Sequence, residues 1–192
     1  MNRDDVVRRW EGMDTPAPGR WRLDDEASEV GFVARYLRVM RMRIRFRRFR
    51  GFVHIAERPE ESTLEAEIDA ASIDTGVGIL DRLLRSPRVL DCEIYPHIRF
   101  RSSAVEHLGG VRLRVPGELT VREATRPVEL EVEYRGVGPG GRARFFAWSD
   151  IDREEFLHWR ALLGIKRWRV GRRMRIELAI EASRERPSRG RG

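Results

Sequence analysis

Apolar and polar residues alternate along most of this chain, in a pattern that is typical of β-strands. In residues 41–47, Arg-Met-Arg-Ile-Arg-Phe-Arg, every second residue is apolar and every other one is arginine. Alternation of this kind places one set of side chains on a dry face and the other set in water. The same alternation is found in residues 64–70, 111–115, 128–134 and 174–180, and less regularly in residues 98–100 and 143–151. The pattern predicts about eight antiparallel strands, each with one dry face.

Turn residues and two breaks in the alternation complete the predicted fold. Gly109-Gly110 and the Gly-Pro-Gly-Gly run of residues 138–141 separate candidate strands, and the second run predicts a hairpin tip. Residues 79–90 space their leucines as a short helix does, and residues 154–163 suit a helical turn or a loop. We therefore expect a mainly β fold, an antiparallel barrel or a sandwich, with one or two short helices.

The chain of 192 residues is long enough for one domain, or at most two small ones. Residues 1–18 look like an N-terminal extension, residues 19–183 read as one continuous domain, and residues 184–192 have the composition of a disordered basic tail. No apolar run approaches the roughly 18 residues of a membrane span. The first residues also lack the apolar core of a signal peptide. We therefore expect a cytoplasmic protein without a transmembrane segment.

Arginine dominates the charge of the chain, because Lys166 is the only lysine and the formal net charge is +7. Eight arginines and no carboxylate occur between Val30 and Ala56. On a strand, alternate arginines of this stretch share an outer face, where carboxylates of a neighbouring strand can pair with them. The candidate partners are Glu65, Glu67 and Asp69, or Glu129, Glu131 and Glu133. Without such pairing, the arginines would form a patch for the phosphates of a lipid, a membrane surface or nucleic acid.

Residue types that carry catalysis or bind metals do not form a recognisable motif. The histidines, which are His54, His97, His107 and His158, show no metal-ligand spacing, and the single cysteine excludes a cysteine cluster. The sequence contains no nucleophile elbow, no P-loop and no dinucleotide-binding glycine motif. Asp74, Asp81 and Asp91 lie near one another in the sequence and could be paired carboxylates for acid–base chemistry. Asp74 and Thr75 are better explained as the side chains that fix a turn at a strand end. The sequence therefore predicts a protein that is not an enzyme and that needs no metal or cofactor.

Six short motifs follow one another between residues 19 and 182. They are Trp21-Arg-Leu-Asp24 with Ser28-Glu-Val-Gly-Phe32; Phe46, Phe49 and Gly51; Ala70-Ala-Ser-Ile-Asp-Thr-Gly76; Leu84-Arg-Ser86 with Leu90-Asp91 and Tyr95-Pro96-His-Ile-Arg-Phe100; Gly117-Glu-Leu-Thr-Val121 with Thr125-Arg-Pro-Val128; and Arg153 with Phe156 and Val170-Gly171. In this order and spacing they resemble the YceI-like polyisoprenoid-binding proteins. The resemblance implies an elongated antiparallel, lipocalin-like β-barrel with a long apolar channel that takes an isoprenoid tail.

Inward-facing apolar residues would line the channel that the resemblance implies. The candidates are Phe32, Met42, Phe46, Ile68, Leu84, Phe100, Leu119, Phe146, Trp148 and Phe156. Arginines in irregular segments are the candidates for contact with a polar head group, and these are Arg82, Arg85 and Arg153. We therefore predict non-catalytic binding of a polyisoprenoid or other long-chain lipid, as a carrier, store or sensor. Lone domains of this class often form homodimers.

Departures from the family pattern leave a second interpretation open. Ile44 and Leu157 stand where the family usually has glycine, and their bulk favours a barrel that is filled by its own side chains. Such a barrel would use its basic outer face to bind nucleic acid or an anionic surface. Nucleic-acid binding of that kind weakens steeply with salt, which separates it from the binding of an apolar ligand.

Overall fold

Strands make up most of the structure, a computed structural model that describes residues 6–10, 13–36, 40–102, 104–156 and 170–185. Its elements in chain order are β1 (Val7–Trp10), β2 (Met13–Pro16), β3 (Gly19–Leu23), β4 (Glu29–Tyr36), β5 (Met40–Phe46), β6 (Phe49–Ile55), β7 (Thr63–Asp69), β8 (Ile73–Asp74), α1 (Gly78–Arg85), β9 (His97–Ser102), β10 (Glu106–His107), β11 (Arg112–Val121), β12 (Ala124–Val137), β13 (Arg142–Asp152) and β14 (Val170–Arg184). Short 3₁₀ turns occur at residues 59–61, 70–72, 139–141 and 153–155.

Eight strands close into an antiparallel barrel, in the order β3, β6, β7, β9, β11, β12, β13 and β14. Strand β14 completes the ring, since it pairs with β13 on one edge and, through residues 182–184, with β3 on the other. The earlier part of that second edge pairs with β4, which leads on to β5 and β8. Closure leaves the ring without a free strand edge. The structure thus confirms the predicted antiparallel barrel and its short helix.

Strand β12 shows how the alternation in the sequence becomes an inside and an outside. Val128, Leu130 and Val132 are buried in the barrel, whereas Glu129 and Glu131 between them are exposed. Full burial of a valine or leucine side chain stabilises the fold by roughly 1.5–3 kcal/mol. The other strands of the ring contribute to the same continuous apolar core. The core therefore forms the inner wall of the barrel.

Inward-facing glycines on β6 and β11 allow a neighbouring strand or an aromatic ring to approach the backbone closely. A Cβ atom at Gly117 on β11 would lie 2.5 Å from the carbonyl oxygen of Arg101 and 2.6 Å from the ring of Phe100. A Cβ at Gly51 on β6 would lie 2.6 Å from the carbonyl oxygen of Glu65. All three distances are far below ordinary contact, so a side chain at either glycine would displace a neighbouring strand or ring. Gly117 thereby leaves room for the Phe100 ring inside the barrel.

The segment around helix α1 packs against one end of the barrel. Leu80 and Leu84 are buried beneath the helix, which is the face that the leucine spacing predicts. The carboxylate of Asp81 accepts hydrogen bonds from the backbone N–H of Thr75 at 2.9 Å and from its hydroxyl at 2.7 Å. Asp74 likewise accepts from the backbone N–H of Gly76 at 2.8 Å. Asp74 therefore fixes a turn, as the sequence predicts, and Asp81 holds the same turn through Thr75, a role that the sequence analysis did not assign to it.

Residues of the predicted N-terminal extension form the β1–β2 hairpin, a separate two-stranded sheet that lies against the opposite end of the barrel. Val6 is buried there, and its carbonyl oxygen accepts a hydrogen bond from the N–H of Ala17 at 3.0 Å. The indole N–H of Trp21 in β3 donates to the carbonyl oxygen of Ala17 at 2.9 Å. At the other terminus β14 continues to Arg184, one residue into the predicted tail, and residues 186–192 lie outside the described residues.

The outer arginines of β5 and β6 pair with carboxylates. Arg43 lies 3.8 Å from Glu177 of β14, and Arg45 lies 3.8 Å from Glu29 of β4. The other pairs along this face join Arg47 to Asp74, Arg48 to Asp69 and Arg50 to Glu67. The predicted pairing is therefore confirmed for Glu67 and Asp69, whereas Arg43 and Arg45 use partners on other strands. Exposed pairs of this kind add little stability each, but they neutralise much of the basic face.

Candidate ligand-binding cavity

The barrel encloses a cavity of about 270 Å³ with an almost wholly apolar wall. Between Leu113 and Val121 the lining follows β11 for about 26 Å, at about 3.3 Å per residue of strand. The cavity volume lies just below the range for small-molecule pockets, which begins at roughly 300 Å³. An elongated apolar space of this kind suits a chain-like apolar ligand better than a compact polar one. A side-chain-filled interior, the alternative left open by the sequence, does not describe this barrel.

The two ends of the cavity are built from different elements. We call the first the hairpin end, where Arg8, Thr15 and Pro16 of the β1–β2 hairpin contribute to the lining. We call the second the helix end, where Leu90 follows α1 and lies with Arg153 and Phe156. Arg8 attaches the hairpin to the barrel, because its guanidinium donates to the carbonyl oxygens of Glu57 at 2.7 Å and Ala56 at 3.0 Å.

Six of the ten predicted channel residues lie in the cavity wall, namely Phe32, Phe46, Ile68, Phe100, Leu119 and Phe156. Met42 is half-buried against the core but does not reach the cavity. Leu84 is buried under α1, where it packs in the core outside the lining. Contact between the six wall residues and a ligand stays a prediction.

The sequence-based prediction that Phe146 and Trp148 line the inside of the barrel was wrong. Strand β13 points Phe145 and Ala147 into the cavity, and successive side chains of a strand alternate between faces, so residues 146 and 148 lie outside. Their rings lie 5.7 Å apart, and the guanidinium of Arg135 lies 4.9 Å from the centre of the Phe146 ring. Residues 145–148 are all apolar, so the sequence shows no alternation that would tell the two faces apart.

Of the three arginines predicted to contact a head group, Arg153 lines the cavity. It is 9% exposed at the helix end, where burial lowers the pKa of its guanidinium, and it lies 3.7 Å from Glu154. Arg85 instead donates to the carbonyl oxygen of Ile73 at 2.7 Å and so holds α1 against β8. Arg82 is exposed on α1 and lies outside the lining. The structure therefore brings one cation of the three to the cavity.

Sequence reasoning did not select Tyr134 or the residues of the hairpin. Tyr134 follows Val128, Leu130 and Val132 on the inner face of β12, and the same alternation was enough to place it there. Burial and then the nearby charge of Asp14 raise the pKa of the Tyr134 phenol to about 12, so this group is neutral at ordinary pH. The hairpin residues had no comparable signal, because residues 7–16 do not alternate.

The described residues contain no group of three or more His, Cys, Asp or Glu side chains that is arranged to hold a metal ion. Nor does any helix within the described ranges have the length and apolar character needed to cross a bilayer.

A comparison with family models decides what kind of barrel this is. Residues 21–182 match the YceI-like domain. The chain belongs to the YceI-like family. The match begins at Trp21, so the β1–β2 hairpin lies outside the part that the family model covers.

Relatives of this YceI-like chain carry the name UPF0312 protein. The relative from Photorhabdus laumondii is 33% identical over 142 residues, which are 71% of this chain and 73% of the relative. The relative from Pseudomonas savastanoi pv. phaseolicola is 31% identical over 105 residues, which are 53% of this chain and 55% of the relative. The chain thus spans about half the length of the Pseudomonas relative that it matches.

Solved structures show the same fold at lower identity. BcnA of Burkholderia cenocepacia superposes with a TM-score of 0.75 at 22% identity, covering 84% of this chain and 99% of BcnA. A polyisoprenoid-binding domain from Saccharophagus degradans gives a TM-score of 0.68 at 13% identity, with coverage of 88% and 100%. At these identities the likeness establishes the fold and leaves the ligand of this chain to be argued from its own cavity.

Proposed function

We propose that this chain binds a polyisoprenoid or a similar long-chain lipid inside its barrel, as a carrier, store or sensor, without catalysing a reaction. The observation that carries the proposal is the elongated apolar cavity, which runs between the hairpin end and the helix end. Membership of the YceI-like family and the fold shared with a polyisoprenoid-binding domain support the same ligand class.

Burial of the apolar chain supplies the driving force for binding. Transfer of one CH₂ group from water to an apolar environment contributes about 0.8 kcal/mol. The aromatic and aliphatic side chains of the wall, among them Phe32, Phe100 and Leu119, accept such a chain without leaving polar groups unsatisfied. A ligand several methylene groups long therefore needs few polar contacts to bind.

Arg153 gives the helix end a preference for a polar or anionic head group. It is a buried cation at the end of an apolar channel, and a phosphate or carboxylate that reaches it gains a charge-assisted hydrogen bond. A ligand would then lie with its tail along the barrel and its head at the helix end. We place this function in the cytoplasm, which cell fractionation would test.

Native mass spectrometry of gently purified protein tests the proposed function. The expected result is a discrete added mass that denaturation releases and that lipid analysis identifies as an isoprenoid or a fatty chain. Protein that carries no ligand, and that stays without one after incubation with polyprenols and polyprenyl phosphates, would contradict the proposal.

A further inference from the structure

Strands β12 and β13 pair with each other along only part of their length. Their pairing stops toward the helix end, where Glu131 lies opposite Trp148. Beyond that point β12 stays paired with β11, and β13 stays paired with β14 as far as Asp152. The two strands therefore diverge, and we call the space between residues 127–130 and residues 149–152 the β12–β13 gap. Four residues of strand make this gap about 13 Å long, at about 3.3 Å per residue.

A groove of about 800 Å³ lies at the β12–β13 gap, and side chains from both faces of the two strands line it. Glu129 and Asp150 belong to the outer face, whereas Val128, Ser149 and Ile151 belong to the inner face. Successive side chains of a strand alternate between faces, so a groove confined to the outer surface would be lined by the outer set alone. The groove therefore extends between the strands toward the interior of the barrel.

Only a thin apolar layer separates this groove from the ligand cavity. Val128, Ile151 and Phe156 line the groove, and the same three residues line the cavity. Their side chains are apolar, so packing holds them in place and hydrogen bonds do not. A change of rotamer in these side chains would join the two spaces. No strand pairing would have to break, because β12 and β13 are not paired at the gap.

Ser149 places a hydroxyl on the inner face of β13 at the gap. The neighbouring inward residues of this strand, Phe145, Ala147 and Ile151, are apolar and line the cavity. Ser149 is 8% exposed, and among the described residues its hydroxyl has no hydrogen-bond partner. An inward hydroxyl without a partner costs stability in apolar surroundings. It is better suited to a place where water or the polar end of a ligand passes.

The approach to the gap from solvent is polar. Charged residues of both signs line the groove, namely Glu129, Glu131, Asp150, Asp152, Glu155, Arg172 and Arg173. Asp150 pairs with Arg175 at 2.8 Å, and Asp152 pairs with Arg172. On the inner side Arg153 follows Asp152 directly and lines the cavity. A head group that crosses the gap thus meets polar or charged groups on its whole way to Arg153.

We propose that the β12–β13 gap is the entrance of the cavity, through which a lipid enters and leaves the barrel sideways, past Val128, Ile151 and Phe156. This inference rests on the proposed function, since it names the route to the cavity in which that function places the ligand. On this route neither end of the barrel has to open for the ligand to exchange.

The test ties the two strands together across the gap. Glu129 and Asp150 would face each other if the register continued, so Glu129→Cys with Asp150→Cys places two thiols on the outer rim. A short bifunctional maleimide joins the thiols, and the mass of the denatured protein gives the joined fraction. The matched control, Glu133→Cys with Phe146→Cys, carries the same tether where the strands are already paired. Both proteins also carry Cys92→Ala, which removes the native thiol.

Parinaric acid, a fluorescent polyene fatty acid, is the ligand probe. Stopped-flow mixing gives its association rate, and mixing of loaded protein with phosphatidylcholine vesicles gives its release rate. We expect the tether across the gap to slow both rates about tenfold or more. The dissociation constant should stay within about twofold, because the cavity itself is unchanged. The tether of the control should change neither rate.

A second variant tests the same route in the opposite direction. Phe156→Ala removes one of the side chains between the groove and the cavity, so we expect it to speed association about threefold or more. Phe100→Ala is its control, because Phe100 lines the cavity but not the groove. Loss of contact with the ligand should speed release from Phe100→Ala and leave its association rate unchanged.

Two results would each overturn the inference while the proposed function stands. Rates that the tether across the gap leaves unchanged would show that the ligand passes elsewhere. An association rate of Phe156→Ala no higher than that of Phe100→Ala would show that this side chain does not lie on the route. Failure of the native protein to bind parinaric acid would instead remove the proposed function, and this inference with it.

Discussion

The side chains of Asp91 and Arg122 meet at the helix end of the barrel, with 3.9 Å between a carboxylate oxygen and a guanidinium nitrogen. Both residues have left-handed backbone, with φ of 51° at Asp91 and 57° at Arg122, and among the described residues no other non-glycine residue does. Arg122 also donates to the carbonyl oxygen of Val89 at 3.1 Å, and its guanidinium lies 5.3 Å from the centre of the Tyr95 ring. These contacts tie the segment that follows α1 to the turn between β11 and β12.

The strain at Arg122 can be separated from its contacts by two substitutions. Arg122→Ala removes the guanidinium contacts but keeps a side chain in the left-handed region, whereas Arg122→Gly removes both. A left-handed non-glycine residue costs roughly 1–2 kcal/mol, so we expect the glycine variant to be about 1 kcal/mol more stable than the alanine variant. Urea unfolding of both variants measures the difference. An alanine variant as stable as the glycine variant would show that the turn stores no strain.

Filling the cavity should prevent binding. Ala147 faces the cavity from β13, and Ala147→Trp would place an indole where the ligand chain is proposed to lie. Ala179→Trp is a matched control, because Ala179 is exposed on the outer face of the adjacent strand β14. We expect native mass spectrometry to find less ligand on Ala147→Trp and an unchanged amount on Ala179→Trp. If folded Ala147→Trp carries as much ligand as the native protein, the cavity is not the binding site.

The head-group preference assigned to Arg153 predicts a selective loss. Arg153→Gln should weaken binding of farnesyl phosphate about tenfold, since a charge-assisted hydrogen bond of roughly 1.5–3 kcal/mol is exchanged for a weaker neutral one. Binding of farnesol should change little. Arg82→Gln serves as the control, because Arg82 is exposed on α1 outside the lining. Displacement of Nile red measures each affinity. Equal losses for the phosphate and the alcohol would assign Arg153 a structural role.

The pairing on the outer face predicts how stability depends on pH. The hydrogen bond from Arg99, together with that from Arg50, holds the pKa of Glu67 below its ordinary value of 4.5. In the unfolded chain Glu67 therefore binds its proton at a higher pH than in the folded protein. Stability is full above the unfolded pKa and falls as the pH drops through the folded pKa.

Glu67→Gln should accordingly flatten the decline of the unfolding free energy below pH of about 4.5. Glu26→Gln is a suitable control, since Glu26 is exposed in the turn after β3. Urea unfolding at a series of pH values gives the slopes. Parallel slopes for the native protein and Glu67→Gln would mean that the pairs around Glu67 contribute nothing to acid stability.

Strict alternation predicts strands and faces well in this chain, and the failures occur where alternation stops. Along β12 it places Val128, Leu130 and Val132 inside, because each inward apolar residue is followed by an outward polar one. The same rule cannot choose a face for Phe146 or Trp148, which belong to an uninterrupted apolar run on β13. At these positions the register with the neighbouring strands determines which side chains face the interior. That register depends on how the whole barrel closes and not on the local sequence.

The sequence predicted many of the residues in the cavity wall, but it did not predict how the two ends of the cavity are built. The wall follows from strand periodicity, whereas the ends depend on contacts between segments far apart in the chain. Arg8 donates to the backbone carbonyl oxygens of Ala56 and Glu57, nearly 50 residues away in the sequence. No local sequence pattern predicts such a contact. For the same reason Arg82, Arg85 and Arg153 look alike in the sequence, although Arg153 alone among them reaches the cavity.

Under the proposed function, the β1–β2 hairpin would limit the length of chain that the barrel accepts. Thr15 and Pro16 line the cavity at the hairpin end, so a chain whose head group lies at Arg153 would meet them at its other end. Each further carbon of a longer chain would then remain outside the cavity or fold back on itself, and it would gain less from burial than the carbons before it. The proposed function therefore predicts that the affinity for ligands of different length depends on how well they fill the cavity between Arg153 and the hairpin.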